Sequence, residues 1–498
     1  MDNCSDQVKE IISNPVIEFQ SLQEELIADT ETPVSVYLKC QSKYSCLLES
    51  VEGEERLARY SYIAQDPFAI LSANIDGEIH FEILNKRYAN LKKIIEQETS
   101  VRAAIEKSFS LIKYNPQHQK DSQMLHCGAF GLIGYDAMHF VEVIPRAKEP
   151  DPAKLPDVYL MFYDTLIAFD NIKRKLFIIS NYIDEAGKAI AKEKIQALKQ
   201  KILSPLTQDQ IKLYPEKPEP IVSNTEKEDY LKKVLRAKEY ITAGDIFQVQ
   251  ISQRLKRKLN TRPFDVYRVL RTINPSPYLF YYDLGETQIV GSSPELLVKV
   301  EKNTNGERVV ETRPIAGTRH RGETREEDER IARELLSDEK ERAEHLMLID
   351  LSRNDVGRIA KVGTVETNEM MIVERYSHVM HIVSNVRGIL DDQYSDFEAF
   401  WACFPAGTLT GAPKIRAMEI ISEFEPEKRG LYGGAVGYFG FDGHITTAIA
   451  IRTMVVHDEK IYFQAAGGIV ADSQPEFEFE ETMKKMRAGL RTIDALIK

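Results

Sequence analysis

Two pairs of glutamates, Glu341 with Glu344 and Glu478 with Glu481, stand three residues apart in segments of helical spacing. Residues at that separation share one face of a helix, so each pair offers two carboxylates pointing the same way. If the two faces met, four carboxylates would repel one another unless a hard divalent cation lay between them. Mg²⁺ suits such an oxygen site and keeps open positions for water or a substrate carboxylate. Taken alone, glutamate pairs at this spacing are more often solvated helix faces.

Other residues point to an anionic ligand. Residues 314–322 read PIAGTRHRG, a Gly-Thr pair with two arginines that reads as a flexible, donor-rich, positively charged loop. Glycine recurs at Gly317, at Gly407 and Gly411 in GTLTG, at Gly433-Gly434 and at Gly467-Gly468. It lets a backbone approach a ligand closely and aim N–H groups at an anion. GTLTGAPK lacks the G-K-[ST] ending of a P-loop, and each glycine piece alone reads as a tight turn between strands. Arg452 is one charge inside the apolar AIAIRTMVV. A buried arginine needs a partner, which is either a bound carboxylate or a core glutamate. His381 sits in apolar SHVMHIVSNV, where a satisfied core histidine is the ordinary case. Glu295 in SSPELL reads on its own as a helix-start acid.

The elements that must position these residues differ between the two halves. From about Ser35 to Ile183, segments such as VSVYLKC, CLLES, GAFGLIGYDAMHF and LMFYDTLIAFD read as strands between Gly, Asp and Asn turns. EAGKAIAKEKIQALKQKIL has helical spacing. Residues 203–224 are polar, Pro-rich and aperiodic, and are expected to link an N-terminal domain (1–202) to a second domain (225–498). There Thr225 and Glu228 fit a capping box, with Tyr230, Val234, Leu235 and Ile241 on one apolar face up to Gly244. Strands are expected in DIFQVQISQRLKR, YLFYYDLG, QIVGSSPELLVKV, RVVETRPIAG, GGAVGYFGF, TTAIAIRTMVV and KIYFQAAGGIV. Helices are expected from Thr324, boxed by Glu327, through EHLMLIDLSRND, and from Ser473 to Leu490. Runs of strands with intervening helices predict an α+β fold: large antiparallel sheets in a sandwich-like core, helices outside, two interleaved subdomains.

The 498-residue chain is 43% hydrophobic and 29% charged, as globular proteins are. Its formal net charge of -12 argues against nucleic acid as a partner, and an anion would need local arginines or a metal. Five scattered cysteines without a C-x-x-C pair suit reduced thiols in a cytoplasm. The polar start and the lack of a spanning apolar run predict neither signal peptide nor membrane helix.

In order along residues 225–490, the motifs IFQVQIS, NPSPYLF, GSSPE, RPIAGTR, EHLMLIDLSRND, RYSHVMHIVS, PAGTLTGAPK, YGGAVGY, IRT and AAGGIVADSQPE resemble the chorismate-utilising enzyme family, most closely its anthranilate-forming branch. In the first half LLES and GLIGYD are the chief matches. The resemblance implies Mg²⁺-dependent conversion of chorismate and ammonia to anthranilate and pyruvate, the first committed step of tryptophan biosynthesis. It implies Mg²⁺ on Glu344 and Glu481, with Glu341 and Glu478 completing the shell partly through water. Gly317, Thr318, Tyr432, Arg452, Ala466, Gly467 and Gly468 would hold chorismate, with Ala466 where the family usually has Gly. Glu295 would be the general acid, and His381, with Thr408 close by, would assist the elimination. Glu49, Ser50, Pro277, Tyr278 and Leu279 would form a pocket for tryptophan as feedback inhibitor. Aminodeoxychorismate synthases typically carry Lys where this chain has Ala316, and isochorismate and salicylate synthases carry Lys where it has Gln248. Without either amine, the nucleophile's place is left to ammonia. No cysteine has the G-x-C-x-G setting of a glutaminase, so ammonia is expected from a glutamine amidotransferase subunit in a heterotetramer. The alternatives are an aminodeoxychorismate synthase and a non-catalytic tryptophan-binding subunit.

Overall fold

The structure, a computed structural model, describes residues 16–50, 59–114, 124–207, 210–213, 219–376 and 379–497. Cys4, part of the expected linker, Ser377 and His378 lie outside the described residues. Two large sheets dominate. One has 13 strands and the other 11, and nearly every pairing is antiparallel, Ile17–Ile27 with Ile112–Tyr114 being parallel.

Each sheet is built from both halves of the chain. In the larger sheet the strands Gln248–Lys258, Lys460–Ile469, Thr453–His457, Thr287–Ser293 and Tyr278–Asp283 run on into Ser45–Glu49, Tyr60–Ala64, Thr165–Asp170 and Lys175–Tyr182. The seam pairs Leu279 with Glu49 and Tyr281 with Leu47. In the smaller sheet Ala435–Gly440 joins Gly128–Ile133, pairing Val436 with Leu132. The boundary expected at 203–224 therefore interrupts the chain but not the sheets. Val222–Ser223, inside that segment, is itself a short strand against Leu255 and Lys256.

Alternation along the strands fills the sandwich. Cys46, Tyr62, Phe130, Met161, Tyr163, Phe280, Tyr282 and Val436 form one buried cluster drawn from both sheets. The outer face of the larger sheet buries Leu47, Ile178, Val290 and Phe463 against helices that contribute Tyr37, Leu198, Tyr267 and Met486. Helices thus lie outside the sandwich, as expected. No helix among the described residues is long and apolar enough to cross a membrane. Cys40, Cys46, Cys127 and Cys403 are buried and free.

Several local expectations are corrected. VSVYLKC is a helix, Pro33–Cys40, not a strand; Thr32 and Ser35 form a reciprocal capping box and Pro33 sits in the first turn, so capping overrides the β-branched composition. YDAMHF is a 3₁₀ turn after the strand Gly128–Ile133. The helix Lys227–Ala243 begins after Glu226, with no side-chain cap. Thr225 Oγ1 instead donates to Asn224 Oδ1. Its buried face is Tyr230, Val234 and Ala237, while Leu235 is exposed. At Arg325–Ser337, Thr324 accepts from the Glu327 N–H, but the Glu327 carboxylate takes the Glu323 N–H instead of closing a box. The final helix runs Pro475–Asp494, starting two residues later and ending one turn later than expected. TTAIAIRTMVV is two strands, Ile445–Ile449 and Thr453–His457, in different sheets.

Candidate active site

The chain crosses between the two sheets at two adjacent places. Thr287–Ser293 belongs to the larger sheet and Leu296–Lys302 to the smaller, and Glu295 lies in the crossing. Arg452, with φ 51°, lies in the return crossing between Ile445–Ile449 and Thr453–His457. Backbone bonds tie the crossings together: Ile449 N–H donates to Glu295 O (3.0 Å) and Ser292 N–H to Arg452 O (3.2 Å). Glu295 is thus no helix-start acid. It is buried, and burial pushes its carboxyl up to about 8, while the Thr408 hydroxyl and the Ile315 backbone beside it pull the other way. The carboxyl is protonated at neutral pH, the state a proton donor needs. Thr408, in the turn Gly407–Leu409, is thereby placed next to Glu295.

Ile315 opens the strand Ile315–His320, so the expected loop PIAGTRHRG is instead an edge strand in its first two thirds. Its pairing with Val379–Ile389 slips between Ala316 and Thr318. Gly317 is the extra residue, in a left-handed conformation (φ +62°), and a Cβ there would lie 3.0 Å from Glu341 Oε2 and from Leu335 Cδ1. The bulge re-aims its neighbours. The Gly317 carbonyl accepts from His381 Nδ1 (2.8 Å), and Thr318 Oγ1 lies 3.1 Å from the same nitrogen. Because a carbonyl only accepts, the proton sits on Nδ1, and Nε2 keeps its lone pair as a base. Burial lowers the His381 pKa, and the Arg452 charge adds to that, so the ring is neutral at pH 7. The two arginines of the stretch are engaged by protein carboxylates. Arg319 pairs with Asp338 and Glu341 (2.9 Å each), and Arg321 with Asp328 (2.8 Å).

Glu341 and Glu344 lie on the helix Glu339–Gly357, and Glu478 and Glu481 on Pro475–Asp494. The helices bring the pairs within electrostatic reach. Burial raises the Glu344 carboxyl, Gln248 and Lys485 oppose the shift, and the charges of Glu341 and Glu481 add to it. Burial likewise raises Glu478, with Glu481 adding. Each carboxylate has a local partner: Gln248 Nε2 donates to Glu344 (2.9 Å), Arg319 pairs with Glu341, Lys485 pairs with Glu481 (2.6 Å), and the Ser473 side chain hydrogen-bonds Glu478. Among the described residues, no three His, Cys, Asp or Glu side chains converge closely enough to hold an ion. The donor set is chemically of the kind a hard divalent cation takes: carboxylate oxygens from two helices.

Ala466, Gly467 and Gly468 run beside this cluster in the strand Lys460–Ile469. A Cβ at Gly467 would lie 2.9 Å from Tyr230 Oη and 3.3 Å from Glu478 Oε2, and one at Gly468 would lie 2.9 Å from the amides of Gln248 and Gln250. Glycine is there for close approach. The Ala466 carbonyl accepts from Lys485 Nζ (2.9 Å), and its backbone also lies by the Tyr432 hydroxyl. Arg452 donates from Nη1 to Lys485 O (2.7 Å). The expected burial is not found: Arg452 is exposed to solvent, with Tyr432 and Glu481 near its guanidinium, and no described carboxylate pairs with it. Of the two readings of Arg452, the core ion pair is absent among the described residues. The sequence singled out neither Lys485 nor Arg429. Lys485 could have been found as a cation four residues after Glu481. Arg429 is buried, paired with Glu425 (2.8 Å), and its guanidinium lies 4.6 Å from the Tyr135 ring centroid and 5.6 Å from that of Tyr432.

A second cavity, about 1080 Å³ including its open mouth, lies between the sheets. Glu49, Ser50, Tyr278 and Leu279 line it, together with Arg59 and Tyr438. Ser50 Oγ donates to Pro277 O (3.0 Å). The Glu49 carboxylate is held by Tyr267 Oη (2.5 Å) and Arg271 (2.7 Å).

The chain matches a family of chorismate binding enzymes over residues 46–491, and belongs to it. It is 44% identical over 480 residues to anthranilate synthase component 1 of Acetivibrio thermocellus, covering 94% of each chain. It is also 44% identical over 505 residues to the Synechocystis protein of the same name, covering 96% of each. The crystal structure of anthranilate synthase component I from Streptococcus pneumoniae TIGR4 superposes with a TM-score of 0.75 at 34% identity, over 94% of this chain and 99% of that one.

Proposed function

We propose that this chain is a lyase that converts chorismate and ammonia to anthranilate, pyruvate and water. The observation that carries the reading is Glu295, buried at the crossing between the sheets beside Thr408 and Ile315, in a site with alanine at 316 and glutamine at 248. Arg452, Tyr432, Thr318 and the Ala466–Gly468 backbone hold the substrate's anionic groups. Ammonia adds to the ring, the double bonds shift, and the hydroxyl leaves with the Glu295 proton as water. In the second stage His381 Nε2 takes the ring proton, the bond to the enolpyruvyl oxygen breaks, and pyruvate departs from an aromatic ring. Thr408 orients the Glu295 carboxyl. Glu344 and Glu481, with Glu341 and Glu478 around them, would hold Mg²⁺, which would supply positive charge for the ring carboxylate. General acid–base placement of this kind contributes about 10²–10⁴ in rate per group.

The component naming of the relatives supports a partner, which we identify as a glutamine amidotransferase supplying ammonia in a heterotetramer in the cytoplasm. The cavity at Ser50, Tyr278 and Leu279 is the candidate site for tryptophan. Feedback inhibition then requires that tryptophan prefer a state with a less competent chorismate site. The test is incubation of the chain with chorismate, Mg²⁺ and ammonium at alkaline pH. Anthranilate fluorescence with equimolar pyruvate is expected; an amino-substituted, non-aromatic ring without pyruvate would overturn the reading.

A further inference from the structure

Lys485 sits one helical turn after Glu481, with Nζ 2.6 Å from Glu481 Oε1 and 2.9 Å from the Ala466 carbonyl. Its own carbonyl receives the Arg452 guanidinium at 2.7 Å. Its charge also reaches Glu344 on the facing helix and Glu478 on its own. One ammonium therefore acts on three of the four carboxylates, alongside Gln248 at Glu344 and Ser473 and Lys340 at Glu478. A carboxylate oxygen held by an ammonium is not available to a metal, so two cations contend for Glu481.

We infer that Lys485 is a resident counter-cation that holds the carboxylate cluster together without metal, and that a divalent ion displaces it from Glu481. The inference rests on the proposed assignment of Mg²⁺ to Glu344 and Glu481. Both side chains of the pair are about one-third exposed (33% each), and an exposed ion pair is weak. Such a latch is easily released, as an exchanging cation needs. Lys485 is a positioning residue in this account: its Nζ links Glu481 to the Ala466 carbonyl beside the proposed substrate site.

Direct titration of the full chain with Mn²⁺, read by the electron paramagnetic resonance of the free ion and without substrate, tests the inference. Lys485→Met keeps the alkyl stem and removes the charge. It should bind Mn²⁺ about two- to fivefold more tightly than wild type, the range for loss of an exposed competing ion pair. Lys485→Arg should bind like wild type, and Glu481→Gln should bind at least tenfold more weakly. Lys485→Gln stands in if the methionine variant does not fold. Unchanged or weaker Mn²⁺ binding in the neutral variants, with Glu481→Gln still impaired, would overturn the inference and leave the metal assignment standing. No Mn²⁺ binding by wild type would overturn both.

Discussion

Glutamine in place of Glu295 keeps the size of the side chain and removes its exchangeable proton. Burial raises this carboxyl from an ordinary 4.5 to about 8. At 1.36 kcal/mol per unit the full shift corresponds to about 5 kcal/mol, and relaxation around buried charges leaves about 2–5 kcal/mol. Below pH 4.5 the carboxyl is protonated in folded and unfolded chains alike. Between 4.5 and about 8 it is ionised only in the unfolded chain, so unfolding releases a proton and wild-type stability falls as pH rises. Above about 8 the difference is constant. The Glu295→Gln variant lacks this slope and should gain about 1.5–3.5 kcal/mol on wild type between pH 5 and pH 8. Urea unfolding of both proteins across pH 5–9 measures it. The same variant should lose about 10²–10⁴ in kcat, whereas wild-type activity should fall as pH rises through about 8 and the acid loses its proton. Parallel stability curves would refute the reasoning, because they would mean a carboxyl that ionises normally and holds no proton to give at neutral pH.

Glu344→Gln should abolish turnover while circular dichroism and the melting temperature stay near wild type, since its one direct contact is the Gln248 hydrogen bond and the lost charge relieves repulsion from Glu341 and Glu481 as it forgoes attraction to Lys485. Gly317→Ala should cost about 1–2 kcal/mol in denaturant unfolding, because the left-handed backbone is strained for an L side chain and the new Cβ crowds Glu341 and Leu335. It should also lower kcat by displacing the carbonyl that fixes the His381 tautomer. Ser50→Phe places a ring in the second cavity. Tryptophan inhibition, measured as the shift of the half-inhibitory concentration, should weaken at least tenfold while activity without tryptophan is retained.

The legible parts of this chain were those where local pattern and tertiary packing agree. The helical spacing of residues 185–203 and the glutamate pairs at i and i+3 survive folding because the same face that reads as amphipathic is the one that packs. VSVYLKC reads as a strand by composition, but Thr32, Ser35 and Pro33 cap and start a helix there, a signal carried by three residues outside the apolar run. Arg452 looked like a charge within one strand because a sheet crossing leaves no gap in the hydrophobic pattern; the left-handed φ that turns the chain is invisible in an arginine. The arginines of PIAGTRHRG looked like ligand groups since their carboxylate partners, Asp338 and Asp328, come from helices later in the chain. Glu295 could not be given a pKa from sequence, because burial by two sheets sets it. Two interleaved subdomains were expected, but not sheets continuous through both halves of the chain, and the seam register of Leu279 with Glu49 is a long-range pairing that no local rule supplies.

Anomalous diffraction from crystals of the full chain soaked in Mn²⁺ examines the core of the account. It predicts a single strong peak between Glu344 and Glu481, with the Lys485 ammonium moved off Glu481. A map with the Lys485–Glu481 pair intact and no peak between those two helices, or with manganese bound elsewhere, would contradict it.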